Sequence, residues 1–447
     1  MQEKSVQWLK RVWTVIRREM RWLIPGMNVK RWVVIILVGI TLLSIGFAVL
    51  VLDLYRTAPE TWWLPILSTL SLRFLDRTLR AIIFGSLGLA LVSVGFWGLN
   101  RTLMRPFIRP GTNVLETVSA FRRRERGPRI AVIGGGTGLS SLLRGLKAYT
   151  TNLSAIVTVA DDGGSSGELR RNMGTLPPGD IRNCLTALSD DEALLSQIFQ
   201  YRFSSGAGLN GHSLGNLFIT AMAEITGSFE EAVAEAGRVL AVQGKVLPAT
   251  LHDVHLVADV HLTPVSKDVR IKGESQIPKA AGKVRRVWLE PNNPLGFPPA
   301  IQAILSAELI VIGPGSLYTS IIPNLLVPDL AEAIRTSRAL KFYVCNIATE
   351  PGETDGYTCG DMIRTIEEHL GSKLFDLVIC NQSSAGKLPP GSEWIKPEPN
   401  LEEEYALYSS DLSNSANAWR HDDEKLGRAV IDLFYERTGP ILNREIS

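Results

Sequence analysis

The sequence predicts an α/β protein: an open, mostly parallel sheet with a small antiparallel excursion, preceded by two transmembrane helices. Three observations carry this. From residue 129 onward, short apolar runs alternate with amphipathic stretches, the rhythm of βαβ units. Three of those runs end in glycine-rich or polar loops, Gly134–Gly138, Asp161–Gly167 and Gly313–Ser320, which a parallel sheet gathers at its carboxyl edge. Before residue 129 lie two uncharged runs, 20 residues from Val33 to Leu52 and 19 from Ala81 to Leu99.

The two runs come first in the chain. At about 1.5 Å per residue, 20 residues reach about 30 Å, the thickness of a bilayer's hydrocarbon core. Neither run has the polar stripe of a helix packed on a soluble core. Basic residues crowd both outer flanks, including Arg17, Arg18 and Arg21 on one side and Arg122, Arg123, Arg124 and Arg126 on the other. By the positive-inside rule both flanks are cytoplasmic, and Trp32, Trp62, Trp63 and Trp97 stand where interfacial anchors stand. The expected organisation is a basic segment 1–32, a hairpin 33–100, a basic linker 101–128 and one domain over 129–447. The expected location is the inner (cytoplasmic) membrane, multi-pass, with both termini and the globular domain inside. The basic flanks set this topology and are able to contact anionic lipid.

The formal charge of +2 conceals a division. Residues 1–129 hold 20 Lys and Arg against seven Asp and Glu, and the remainder holds 27 against 38. An acidic globule argues against a nucleic-acid partner. With 45% hydrophobic residues the chain is not a disordered one. The four cysteines, Cys184, Cys345, Cys359 and Cys380, are too sparse for a disulfide framework, and no pair has zinc-ribbon or thioredoxin spacing.

Within the domain, the first strand is expected at Arg129–Ile133 and a helix at about Leu139–Ala148. A second strand is expected at Ala155–Ala160. Asp180, after Pro177-Pro178-Gly179, is placed as an N-cap. Ser189 with Glu192, and Ser228 with Glu231, read as capping boxes. Alternation at Val254, Leu256, Ala258, Val260 and Leu262, with short runs at Val269–Ile271 and Val284–Leu289, gives the antiparallel excursion. The parallel rhythm resumes at Leu309–Ile312, Phe342–Cys345 and Leu377–Ile379. Residues 387–420 are expected to be irregular, and a last helix covers about Asp422–Tyr435.

The three loops carry the candidate chemistry. Gly134, Gly135, Gly136, Thr137 and Gly138 let backbone approach phosphate oxygens, and the helix that follows offers free N–H groups. The spacing is neither a full GxGxxG nor a Walker loop, so a tight strand-to-helix turn is the alternative. Asp161 and Asp162 are able to hold ribose hydroxyls or Mg2+, the one cofactor suggested, with Ser165 and Ser166 beside them. Neighbours on a strand point opposite ways, so one of the two carboxylates faces the site. Gly313, Gly315, Ser316, Tyr318 and Thr319 form the third loop, with Tyr318 as an aromatic able to stack on a base. Asp180, Asn183, His212 and Asn216 lie in glycine-flanked segments that suit a pocket wall. No catalytic triad, HExxH or kinase set is present, and no catalytic residue is assigned.

The stretches IAVIGGGTGLSSLLRGLKAYT, TVADDGGSSGELRR, LPPGDIRNCLTALSD, GHSLGNLFITAMAEITG, GESQIPKAAGKVRRVWLEP, IGPGSLYTSIIPNLLVP and PGETDGYT closely resemble the YvcK-like gluconeogenesis factor family. The resemblance covers about residues 129–385 and implies a Rossmann-like CofD fold. It implies a binder of UDP-sugars, notably UDP-N-acetylglucosamine, linked to gluconeogenic growth, cell shape and cell-wall synthesis. By position, it puts the glycine loop and Asp161-Asp162 at the nucleotide diphosphate and Tyr318 at the nucleotide sugar. A cell-wall synthesis protein is the partner it suggests, and homo-oligomerisation stays open. The related phospholactate transferase keeps a second reading open, a magnesium-dependent transferase using a nucleoside-diphosphate-linked donor.

Overall fold

The computed structural model describes residues 75–104, 123–190, 197–206, 208–262, 267–280 and 282–439, with isolated positions between 38 and 72. The chain falls into two compact units, Met1–Arg122 and Arg123–Ser447. In the first unit, helix α1 (Arg77–Met104) contains the second apolar run. Within it Ser86 and Ser93 donate to the carbonyls of Ile83 and Leu89.

Among the described residues no helix is long and apolar enough to cross a membrane. This overturns the expected transmembrane hairpin and multi-pass inner-membrane location. The apolar residues of α1 share the helix with Arg77, Arg80 and Arg101, and its described positions do not amount to an apolar stretch of spanning length. The first run, Val33–Leu52, lies largely outside the described residues. So do Trp32, Trp62, Trp63 and the basic stretches 1–32 and 105–122.

The second unit is built on a seven-stranded parallel sheet. Its strands are β1 (Ile130–Gly134), β2 (Leu153–Val157), β3 (Lys245–Pro248), β7 (Leu309–Ile312), β8 (Leu340–Val344), β9 (Leu377–Asn381) and β10 (Leu407–Ser410). Their order is β10-β9-β8-β7-β1-β2-β3. β1 is therefore the pivot. The chain builds outward from it through β2 and β3, then returns and builds the other way from β7. The crevice at such a reversal is where open α/β sheets bind ligands.

The strands are apolar on both faces, as burial between two layers requires. Ala131 and Ile133 pack with one core, toward helices α7 (Pro298–Ser306), α9 (Pro328–Thr336) and α10 (Cys359–Leu370). Ile130 and Val132 pack with the other, toward α2 (Gly136–Leu146), α4 (Gly179–Leu188), α6 (Phe229–Val239) and α12 (Asp423–Thr438). The antiparallel excursion is a separate three-stranded sheet, β5-β4-β6, from β4 (His255–Leu262), β5 (Lys267–Lys272) and β6 (Gly282–Glu290).

Local signals held unevenly. Ser228 caps α6 by accepting from the Glu231 N–H, and Asp422 caps α12 by accepting from Lys425. Ser189 ends α4 in an extended conformation and bridges to Val242; the helix it is expected to open begins among residues 191–196, which lie outside the described residues. Asp180 is not an N-cap: α4 begins one residue earlier, after Pro178, and the carboxylate turns away from its own helix.

Candidate functional site

The loop after β1 and the loop after β7 lie against each other across the pivot. A Cβ on Gly138 would meet the Pro314 carbonyl oxygen at 2.7 Å, and one on Gly315 would meet the Gly135 carbonyl at 3.2 Å. At Gly138 only glycine permits this approach. Gly136, at φ +66°, turns the first loop into α2, whose N-cap residue, Gly135, has no side chain with which to cap it. Asn346, just past β8, fixes the second loop by accepting from the Gly315 N–H at 3.0 Å and donating to its carbonyl at 2.9 Å.

These loops open onto a cleft of about 300 Å3. Gly135, Gly136, Thr137 and Gly138 form one wall, with Gly315, Ser316 and Asn346 beside them. The opposite wall comes from the C-terminal region through Trp419, Arg420 and His421. The Arg420 guanidinium lies 4.4 Å over the Trp419 ring, a cation–π arrangement. Burial lowers the pKa of His421 to about 4, so its imidazole is neutral at physiological pH, and its ring is bonded to the Cys345 backbone. Nε2 is buried without a hydrogen-bond partner. The bonded nitrogen is therefore Nδ1, and Nε2 keeps an unpaired lone pair below the cleft surface.

Beneath the cleft sits a group of carboxylates. Asp180 lies half-buried beneath Gly135 and accepts from the Gly136 N–H; burial and the nearby Asp161 charge raise its pKa to about 6. Asp161 accepts from the Gly163 N–H at 2.8 Å and is raised by burial. Glu274 is raised to about 8 by burial and then by Asp161, Glu353, Asp180 and Asp162. Glu353, which accepts from Thr319 at 3.2 Å, is raised to about 8 by burial and the charge of Glu350. Carboxyls that push one another up are poised to share protons.

Asp162 is not part of the inward-facing group. It accepts from the Ser275 N–H at 2.9 Å and so anchors the turn before β6. Of the expected metal pair, only Asp161 faces inward.

The remaining candidates divide. Ser165, Ser166, His212 and Asn216 come together, but as a buried polar network rather than a cleft wall. Ser165 Oγ lies 3.1 Å from His212 Nδ1, and Asn216 donates to Ser165 at 3.1 Å and Ser166 at 3.4 Å. Arg182 binds Ser213 and Asn216 from one side and Asn183 from the other. Asn183 and Asn216 are thus Arg182's partners. Ser316 reaches both the cleft and Glu350. Gly313 approaches the Val344 carbonyl. Tyr318 is 1% exposed: its hydroxyl meets that of Tyr357 at 2.8 Å, and its ring packs edge-on to His369. It cannot stack on a base, because the turn Leu317–Ile321 points it into the core. Sequence reading missed Asn346, Trp419, Arg420 and His421. Trp419-Arg420-His421 lies at the edge of a Pro- and Ser-rich stretch with no periodic signal.

A match to the family described as 2-phospho-L-lactate transferase CofD runs over residues 130–403, which takes in the whole glycine-loop side of the cleft. The chain belongs to the CofD family. Gluconeogenesis factors are among its relatives. A Nostoc protein named "Putative gluconeogenesis factor" is 51% identical over 81% of this chain and 79% of its own. The gluconeogenesis factor of Bacillus subtilis is 44% identical over 69% of this chain and 99% of its own. A crystal structure of a UPF0052 family member from Bacillus halodurans superposes with a TM-score of 0.64 at 43% identity, covering 68% of this chain and 99% of that one. The Bacillus proteins match a length close to that of the CofD domain, while the Nostoc match, at 81% of this chain, extends beyond it.

Proposed function

We propose that the cleft of this CofD-family protein binds a UDP-sugar, UDP-N-acetylglucosamine, and that the protein is a regulator rather than a catalyst. The observation that carries the reading is the pair of glycine loops packed together at the sheet's pivot beside the start of α2. Backbone N–H groups there suit a pyrophosphate. Arg420 adds a cation among the residues that line the cleft. The gluconeogenesis factors among the relatives support a role in carbon supply. On this reading the bound UDP-sugar reports precursor level to cell-wall synthesis, and hence to cell shape, through a conformation that a wall-synthesis protein recognises.

A titration of the full chain with UDP-N-acetylglucosamine, NAD and GTP by calorimetry tests this. Heat with the UDP-sugar alone is expected, and none with any UDP-sugar would sink the reading. The inward carboxylates Asp161, Asp180 and Glu274 favour a second reading, a magnesium-dependent transferase with a nucleoside-diphosphate-linked donor. Magnesium held there would neutralise phosphoryl oxygens. Product appearing by mass spectrometry at enzymatic rates with Mg2+ would establish it over the first.

A further inference from the structure

We propose that Cys345, Cys359 and Cys380 form a binding site for one thiophilic metal ion, Zn2+ or Cu+. The three come from three elements: Cys345 just past β8, Cys359 at the start of α10, and Cys380 within β9. Their Sγ atoms all lie within 4.8 Å of one another, and among the described residues this is the group that gathers three potential ligands. Each residue is at most 2% exposed, and none is in a disulfide.

The chemistry follows from the donor set. Three sulfurs with no carboxylate or imidazole among them select soft d10 ions over Mg2+ or Ca2+. Metal–sulfur bonds of about 2.3 Å would place the sulfurs about 4 Å apart in a trigonal plane. The present spread reaches that with small side-chain rotations, the largest at Cys359 and Cys380, whose sulfurs are 2.7 Å apart. Binding converts three thiols to thiolates and releases their protons to solvent. A Cys359–Cys380 disulfide is the rival explanation. It would leave the convergence of Cys345 without a purpose. A bound ion would tie β8, β9 and α10 together behind the cleft, where Cys345 precedes Asn346 and its backbone holds the His421 ring.

The test is metal content by mass spectrometry of the full chain, expressed with added zinc or copper and purified without oxygen. About one ion per chain is expected. Cys359→Ser and Cys380→Ser should each reduce retention at least roughly tenfold. Cys184→Ser, a buried thiol in α4 on the other side of the sheet, should not change it. Co2+ added to the unaltered chain should give thiolate-to-cobalt charge-transfer bands, a readout that does not depend on variants folding. Absence of both metal and cobalt bands, equal metal in the variants, or a parent mass lower by two hydrogens would overturn the proposal.

Discussion

Asp180 is a carboxyl that the fold holds close to neutrality. Its folded pKa of about 6 stands above the ordinary 3.8, so the folded chain keeps a proton that the unfolded chain has already lost in that window. Stability should therefore fall as pH rises from about 4 to about 6, by at most about 3 kcal/mol from this group. Urea midpoints measured across that range should show the fall, and Asp180→Asn should flatten it. Glu274 and Glu353, at about 8, should carry a similar decline onward to that pH. Tyr318→Phe should cost about 1 kcal/mol by thermal unfolding, because it loses the Tyr357 bond, and should leave UDP-sugar affinity unchanged. Gly138→Ala should instead act on binding. Its methyl would press on the backbone of Pro314, costing about 1–3 kcal/mol of stability and weakening the calorimetric affinity at least roughly tenfold.

At the scale of elements, α2 and α12 pack backbone against backbone. A Cβ on Gly427 would meet the Gly145 carbonyl carbon at 2.5 Å, backbone against backbone, with no flexible side chain to yield. Gly427→Ala should lower stability by about 2–3 kcal/mol, read as a shift in denaturant midpoint, although it touches no cleft residue. Elements with strong local signals were legible in the sequence. Leu309–Ile312 reads as a strand because four apolar residues stand between turn signals, and it is one. β10 was not legible: Leu407–Ser410 pairs only at the sheet's edge and mixes polar with apolar residues, so its pattern does not separate from the surrounding loop. Asp180 shows how a local rule fails. Its position suits a cap, but a buried N–H of Gly136, distant in sequence, is the group it serves.

For the molecule as a whole, every residue lining the cleft belongs to the unit Arg123–Ser447. A fragment over those residues should bind the UDP-sugar within about twofold of the full chain in the same calorimetric titration. The sheet's parallel character and its glycine loops were readable because parallel strands are apolar on both faces and end in glycine turns. The second wall was not readable. Trp419, Arg420 and His421 reach the glycine loops only through tertiary folding, and no spacing in the sequence joins them. Tyr318 misled for the opposite reason: it sits in a loop motif, but its ring was needed for the core.

The pivot also dictates an order of assembly. β1 and β2 leave the ribosome early, yet β1's other neighbour, β7, is about 180 residues further along the chain. Until residues 309–312 emerge, one side of β1 is an open edge, the kind of surface that recruits foreign strands. The half-cleft presented by Gly134–Gly138 at that stage has no facing loop. The nascent domain thus gains the second glycine loop of its cleft and covers that open edge in the same event, the late insertion of a four-residue strand into the middle of a sheet already begun.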